Sequence, residues 1–214
     1  YKVAVIEHLD GLGKSASLME AVNCVVRRGE QLIGENTDGK GFLQSFHQVA
    51  DSAGKTVVIL GAGGAARAIA IELALAGVEK ITVVNRNEGR GQALVELLLN
   101  RTKVNADFVH WQEDFTVPED TQVLVNATSI GMSDRDARVA IAEESLRGNL
   151  VVADVIVNPP DTRLIRTARE QGCTALDGLG MVVNQAVIAM EYWTGVDANA
   201  TIMREALQQV LKID

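Results

Sequence analysis

The glycines of Gly61-Ala62-Gly63-Gly64-Ala65-Ala66 are spaced to hold a phosphate. They follow the apolar run TVVIL directly and open the helical stretch AARAIAIELALAG, which gives the G-x-G-x-x-A form of a dinucleotide-binding turn in its strand-to-helix setting. Gly61 permits the tight turn, Gly63 lets the backbone approach a pyrophosphate, and Ala66 lets helix and strand pack closely. Gly61, Ala62, Gly63, Gly64 and Ala65 are therefore the candidate cofactor contacts of this turn. About 20 residues further on, an acid at the end of the second strand would accept from a ribose 2′-hydroxyl. The sequence there reads Asn85-Arg86-Asn87 instead. Arg86 and Arg90, with Asn85 beside them, suit a 2′-phosphate in geometry and charge, so the predicted cofactor is NADP. The competing reading leaves both arginines as solvated charges at a helix start and gives the ribose to Glu88.

Alternating strands and helices must carry this turn. TVVIL, KITVVN, DFVHW, QVLVNAT and LVVADVIV are short apolar strands, and AARAIAIELALAG (ending at Gly77), GRGQALVELLLN and TRLIRTAREQG are amphipathic helices. The alternation predicts a Rossmann-type, doubly wound parallel sheet from about Gly54 to Asp177, buried on both faces. Ahead of it, Lys2 to Leu9 shows a helical apolar face and Val22 to Val26 a short strand. A turn at Arg27-Arg28-Gly29-Glu30 then leads to a returning strand, QLIGEN. Asn36-Thr37-Asp38-Gly39 supplies a polar cap for a helix from about Lys40. The helices MVVNQAVIAMEYWTG and ATIMREALQQVLKI close the chain. The domains expected are 1–40 as part of a smaller unit, 41–182 as the NADP-binding unit, and 183–214 as helices returning to the smaller one.

Composition bounds the partners. A chain of 214 residues with 47% hydrophobic side chains supports a real core. With 28 acidic against 20 basic residues and a net charge of −8, it repels nucleic acid and anionic membrane surfaces. An anionic small molecule must then be captured by local basic groups. Cys24 and Cys173 lie far apart, as buried thiols of a reducing compartment do, and His8, His47 and His110 are too scattered for a metal site. No signal-peptide pattern or membrane-length apolar run is present, and a cytoplasmic monomer or homodimer is the expectation.

The stretches AVNCVVRRGEQLIGENTDGKGF, VVILGAGGAARAIAIELALAG, VNRN, VNATSIGM and DGLGMVVNQAVIAMEYWTG occur in the order in which the shikimate and shikimate/quinate dehydrogenases carry them, and the chain resembles that family over almost its whole length. The resemblance implies NADP-linked interconversion of 3-dehydroshikimate and shikimate, a step of aromatic amino acid biosynthesis. Such chemistry needs a group that exchanges a proton with the alcohol oxygen. The resemblance puts Lys2 on the catalytic lysine and Asp38 on its paired aspartate, although the residues by themselves read as a surface lysine and a helix-capping aspartate. It places Asn23 and Gln185 on the substrate hydroxyls, where neutral amides both donate and accept. It also places Asn126, Ala127, Thr128 and Met132 on the loop beside the nicotinamide, and Gly180 and Met181 against the nicotinamide ring. For both methionines ordinary core packing is the competing reading.

The chain also departs from the family. Family members begin with a βαβ segment whose serine pair holds the substrate carboxylate, and nothing ahead of Tyr1 supplies it, so the expected substrate domain is incomplete. Truncation is the expected cause; a natural absence would expose a sheet edge. Tyr1 stands where relatives often carry Asn or His, and SDRDARVA after Met132 is a short, charged version of its loop. Three other readings follow: a quinate-preferring paralogue, a non-catalytic NADP-binding fragment, or another NADP-dependent reductase such as a glutamyl-tRNA reductase domain. The NTDG and VVNQA stretches argue against the last.

Overall fold

The computed structural model describes residues 1–213; residue 214, the end of the last expected unit, lies outside them. Six strands form one parallel sheet: β4 (Thr56–Leu60), β5 (Lys80–Asn85), β6 (Asn105–His110), β7 (Val123–Asn126), β8 (Val151–Asp154) and β9 (Thr174–Leu176). Their order is β6-β5-β4-β7-β8-β9, so the chain runs outward from β4 one way and then restarts beside β4 with β7. This is the doubly wound arrangement, and its switch point lies between β4 and β7. Because strand side chains alternate between faces, Val57 and Ile59 enter one core cluster while Val58 and Leu60 enter the other. All four are at most 1% exposed. That is why these strands read as unbroken apolar runs.

The crossovers α3 (Gly64–Leu75), α4 (Glu88–Arg101) and α5 (Arg163–Glu170) follow β4, β5 and β8. Gly77, at φ = +87°, turns the chain after α3 at the predicted position. LVVADVIV ends as a strand already at Asp154, and β9 was not predicted, being only three residues long.

A second, three-stranded sheet has the order β1-β3-β2, from β1 (Gly11–Leu12), β2 (Cys24–Arg28) and β3 (Gln31–Glu35). Strands β2 and β3 form the antiparallel hairpin the sequence indicates, with Gly29 at φ = +65° in its turn. The segment 2–9 contributes only a short 3-10 turn, Ala4–His8, and α1 (Lys14–Met19) follows β1. Helix α2 (Asp38–Phe46) starts two residues earlier than predicted. Its opening is held by Asn36 Oδ1, which accepts from Asp38 N at 3.1 Å, because the Thr37 side chain is engaged elsewhere. Helix α6 (Gly178–Thr194) packs across α2, and Trp193 Nε1 donates to Val25 O at 2.9 Å, so the chain end returns to the small sheet. α7 (Ala200–Leu211) lies outside it with no buried residue. Cys24 and Cys173 are buried, and burial pushes both thiols up, which makes them poor nucleophiles. Among the described residues no helix is long and apolar enough to cross a membrane.

Candidate active site

Three residues far apart in sequence meet at the N-terminus of α2. Lys2 Nζ donates to Asp38 Oδ2 at 2.6 Å, and Asn23 Nδ2 donates to Asp38 Oδ1 at 2.8 Å. Asn23 is fixed in turn by Thr37, whose backbone N–H donates to Asn23 Oδ1 at 2.8 Å. The segment carrying the lysine is tied down by Val22 N donating to Lys2 O at 2.8 Å. Asp38 sits in the first turn of its helix, where the macrodipole favours the carboxylate. Lys2 is 56% exposed, so the ion pair adds little to stability; what it fixes is where an ammonium points. The lysine keeps two N–H bonds for a substrate oxygen.

The same helix is pressed against its neighbours. A Cβ built on Gly39 would lie 2.3 Å from Ala68 O of α3, and one on Gly41 would lie 2.6 Å from both Met181 O and Gln185 N of α6. Gln185 is thereby carried to the helix that bears Asp38. The approach also places the Lys2–Asp38 pair beside the helix that the glycine-rich turn opens.

That turn forms one wall of a cleft at the C-terminal ends of β4, β5 and β7. Gly61, Ala62, Gly63, Asn85, Arg86, Arg90, Ala127 and Thr128 all line it, and Gly64 lines its continuation toward α4. Ala65 is in the first turn of α3, behind this lining. Gly61 has φ = +106°, and a Cβ there would come 2.9 Å from Ala127 O, so only glycine fits. Gly63 caps α3 with no side chain to accept from the first N–H groups, which stay available to an anion. Arg86 and Arg90 form no ion pair with any carboxylate among the described residues, Glu88 included. The Arg86 guanidinium lies over the Trp111 ring, 5.7 Å from its centroid. A bare phosphate-binding surface is what a nicotinamide dinucleotide requires here, and the residues present fit it.

Four other predicted contacts lie outside this lining. Asn126 is fully buried: its Nδ2 donates to Asp154 Oδ1 at 3.0 Å, and its Oδ1 accepts from Thr128 Oγ1 at 2.7 Å. Asn126 therefore shapes the loop through Thr128 instead of presenting its own amide. Met132 is 58% exposed on that loop, which rules out the core-packing reading for it. Gly180 and Met181 fall in the first turn of α6, because the helix opens at Gly178; Gly180 faces Ser45 of α2, and Met181 packs on the core beneath. Neither of them is among the residues that line the glycine-rich cleft.

Two contributors escaped the sequence reading. Trp111 follows β6, at a strand end that a doubly wound sheet turns toward the cleft, and that position was the available signal. Asp154, the acid ending β8, is 2% exposed and accepts from Thr162 Oγ1 at 2.7 Å as well as from Asn126. Burial pushes its carboxyl up, against three hydrogen bonds that pull it down. A raised folded-state value means the proton stabilises the fold fully below the ordinary aspartate pKa, and this contribution is lost as pH rises through the raised value. Asn keeps an oxygen for Asn126 and Ile156 and turns its NH2 toward the Thr162 hydroxyl, which then accepts. It carries no charge, so the change in melting temperature on Asp154→Asn is expected to be more favourable at pH 8 than at pH 4.5. Thermal unfolding of both proteins across that range checks it; an equal shift at both pH values would contradict it.

Fold and site together define an α/β dehydrogenase with a dinucleotide cleft and a lysine–carboxylate pair at its side. The chain belongs to the shikimate/quinate dehydrogenase family: the family model described as Shikimate / quinate 5-dehydrogenase matches residues 44–167, and the Shikimate 5′-dehydrogenase C-terminal domain matches 178–208. The shikimate dehydrogenase (NADP(+)) of Alkaliphilus oremlandii is 41% identical over 92% of this chain and 70% of its own length. The ligand-free 5-ketofructose reductase of Gluconobacter sp. strain CHM43 superposes with a TM-score of 0.96 at 50% identity, over 98% of this chain and 76% of that one. The shikimate 5-dehydrogenase of Listeria monocytogenes, in complex with shikimate and NAD, gives 0.88 at 33%, over 96% and 74%.

Proposed function

We propose that the chain is an NADP-dependent shikimate dehydrogenase that reversibly reduces 3-dehydroshikimate to shikimate. The observation that carries this reading is the Lys2–Asp38–Asn23 cluster, held by hydrogen bonds beside the helix that opens the phosphate-binding turn. NADPH held at this turn would supply the hydride. Lys2 gives a proton from Nζ to the oxygen that becomes the alcohol, and takes it back in the oxidative direction. Asp38 orients that ammonium and balances its charge. Gln185 holds a ring hydroxyl. Asn23, whose two N–H bonds go to Thr37 and Asp38, accepts from another through the remaining lone pair of its Oδ1. Gly61, Gly63 and Gly64 cradle the pyrophosphate. The domain reading extends to the same picture, since its boundaries at 40/41 and 182/183 fall within α2 and α6, the two helices that lie against each other between the units.

A second reading, reduction of a carbonyl on a linear or cyclic sugar, is favoured by the 50% identity to the 5-ketofructose reductase. The two separate in one assay: loss or gain of reduced-nicotinamide absorbance with shikimate, quinate and 5-ketofructose, each with NADP(H) and NAD(H). Turnover of shikimate supports the first reading, turnover of 5-ketofructose alone the second, and quinate preference a paralogue. NADP is preferred on the strength of Arg86 and Arg90, even though the Listeria relative carries NAD. Replacing both by alanine is expected to raise the KM for NADP about 100-fold, from the loss of two charge-assisted phosphate contacts, and to leave the KM for NAD within about threefold. Equal effects on the two cofactors would return the arginines to the solvated reading.

A further inference from the structure

Arginine pairing across the molecule singles out one more residue. Arg28, Arg135, Arg138, Arg163, Arg166, Arg169 and Arg204 each pair with a carboxylate, Arg101 reaches Glu20, Arg27 reaches Glu30, and Arg147 donates to backbone carbonyls. Arg86 and Arg90 have no such partner among the described residues, and neither has Arg67. Arg67 Nε is sealed from solvent with no hydrogen-bond partner. In a chain carrying eight more acids than bases, three partnerless arginines along one cleft are not a random residue of surface charge.

Their placement is ordered. Arg86 and Arg90 line the part of the cleft at the ends of β4, β5 and β7, and Arg90 together with Arg67 lines its continuation between α3 and α4. Arg90 is thus the shared member, with Arg86 on one side and Arg67 on the other. Arg67 is the fourth residue of α3, and its own backbone N–H is already spent on Gly63 O at 2.9 Å. What it offers the cleft is therefore side-chain charge, on the α4 side of the turn. The pyrophosphate is served by the backbone of Gly63 and Gly64, so a further guanidinium facing Ala93 and Leu94 lies on the side away from β7.

We propose that Arg67 is the third arginine of the 2′-phosphate seat and a determinant of NADP over NAD, an inference that rests on the dinucleotide-cleft reading above. Arg86 covers the adenosine side, Arg90 closes the middle, and Arg67 reaches the phosphate from α3. A guanidinium suits this because it presents several N–H groups in one plane to phosphate oxygens.

The test is the dissociation constant of NADPH and of NADH, read by nicotinamide fluorescence without substrate, for the wild type, Arg67→Met and Arg67→Lys. Competition by 2′,5′-ADP and by 5′-AMP is measured on each. The expected result is about tenfold weaker NADPH and 2′,5′-ADP binding in Arg67→Met, unchanged NADH and 5′-AMP, and partial recovery in Arg67→Lys. Equal weakening of NADPH and NADH would assign Arg67 to the pyrophosphate and overturn the proposal, as would unchanged binding of both. A wild type that binds neither nucleotide would overturn the cleft reading itself, which keeps the two failures apart.

Discussion

Lys2→Ala is expected to lower kcat by about 10²- to 10⁴-fold, the span covered by loss of a positioned general acid, while the dissociation constant of NADPH stays within about twofold. The separation follows from the geometry. Lys2 Nζ is bound to Asp38 at 2.6 Å and has no place in the glycine-lined wall that receives the nucleotide. The lysine is 56% exposed and the pair contributes roughly 0–1 kcal/mol to stability, so the melting temperature should move by no more than a few degrees. Asp38→Asn should also lose most of kcat, since the amide cannot balance the ammonium, although Asn23 still has an oxygen to donate to. Stopped turnover with intact NADPH binding and intact folding identifies the acid. A Lys2→Ala protein that keeps more than a tenth of wild-type kcat would reduce Lys2 to a surface lysine.

How much of this was legible depended on whether a signal was local. The parallel sheet could be read because each strand is a short apolar run followed by a helix of matching period, and the cofactor turn because Gly61, Gly63 and Ala66 act within six residues. The Lys2–Asp38–Asn23 cluster was not legible from the residues themselves. Three ordinary polar residues spread over 37 positions have no periodicity to mark them, and only the resemblance to a family joined them before the hairpin and α2 were seen to do so. The helix starts were misjudged for one physical reason. A cap made by the residue two positions earlier, as with Asn36 for Asp38 and Asp177 for Leu179, opens the helix before the first apolar periodic residue. How Asn126 is engaged was not legible, because a strand-end amide looks the same in sequence whether it faces a cleft or a buried carboxylate. Asp154, on the neighbouring strand, decides which.

Gly61 and Gly63 of the turn are expected to fail in different ways when each gains a single methyl group. At Gly61 the backbone has φ = +106° and the added carbon would lie 2.9 Å from Ala127 O, so Gly61→Ala stresses both the residue and the β4–β7 crevice. Strained backbone of this kind costs about 1–3 kcal/mol before any contact is counted. For a chain of this size the melting temperature without ligand should fall by about 2–12 °C. At Gly63 the backbone has φ = −87°, which alanine adopts freely, and a built Cβ meets nothing within 4 Å. Gly63→Ala should therefore melt within about 2 °C of the wild type. Yet the space above Gly63 is where a pyrophosphate must approach the N–H groups that open α3, and the methyl would occupy it. NADPH affinity should then fall at least tenfold in a protein that is otherwise as stable as its parent. Thermal unfolding with and without NADPH, beside a fluorescence titration, reads both variants. A Gly63→Ala protein that binds NADPH like the wild type would mean that the dinucleotide does not cross this turn. The strain at Gly61 would then serve only the packing of β4 against β7.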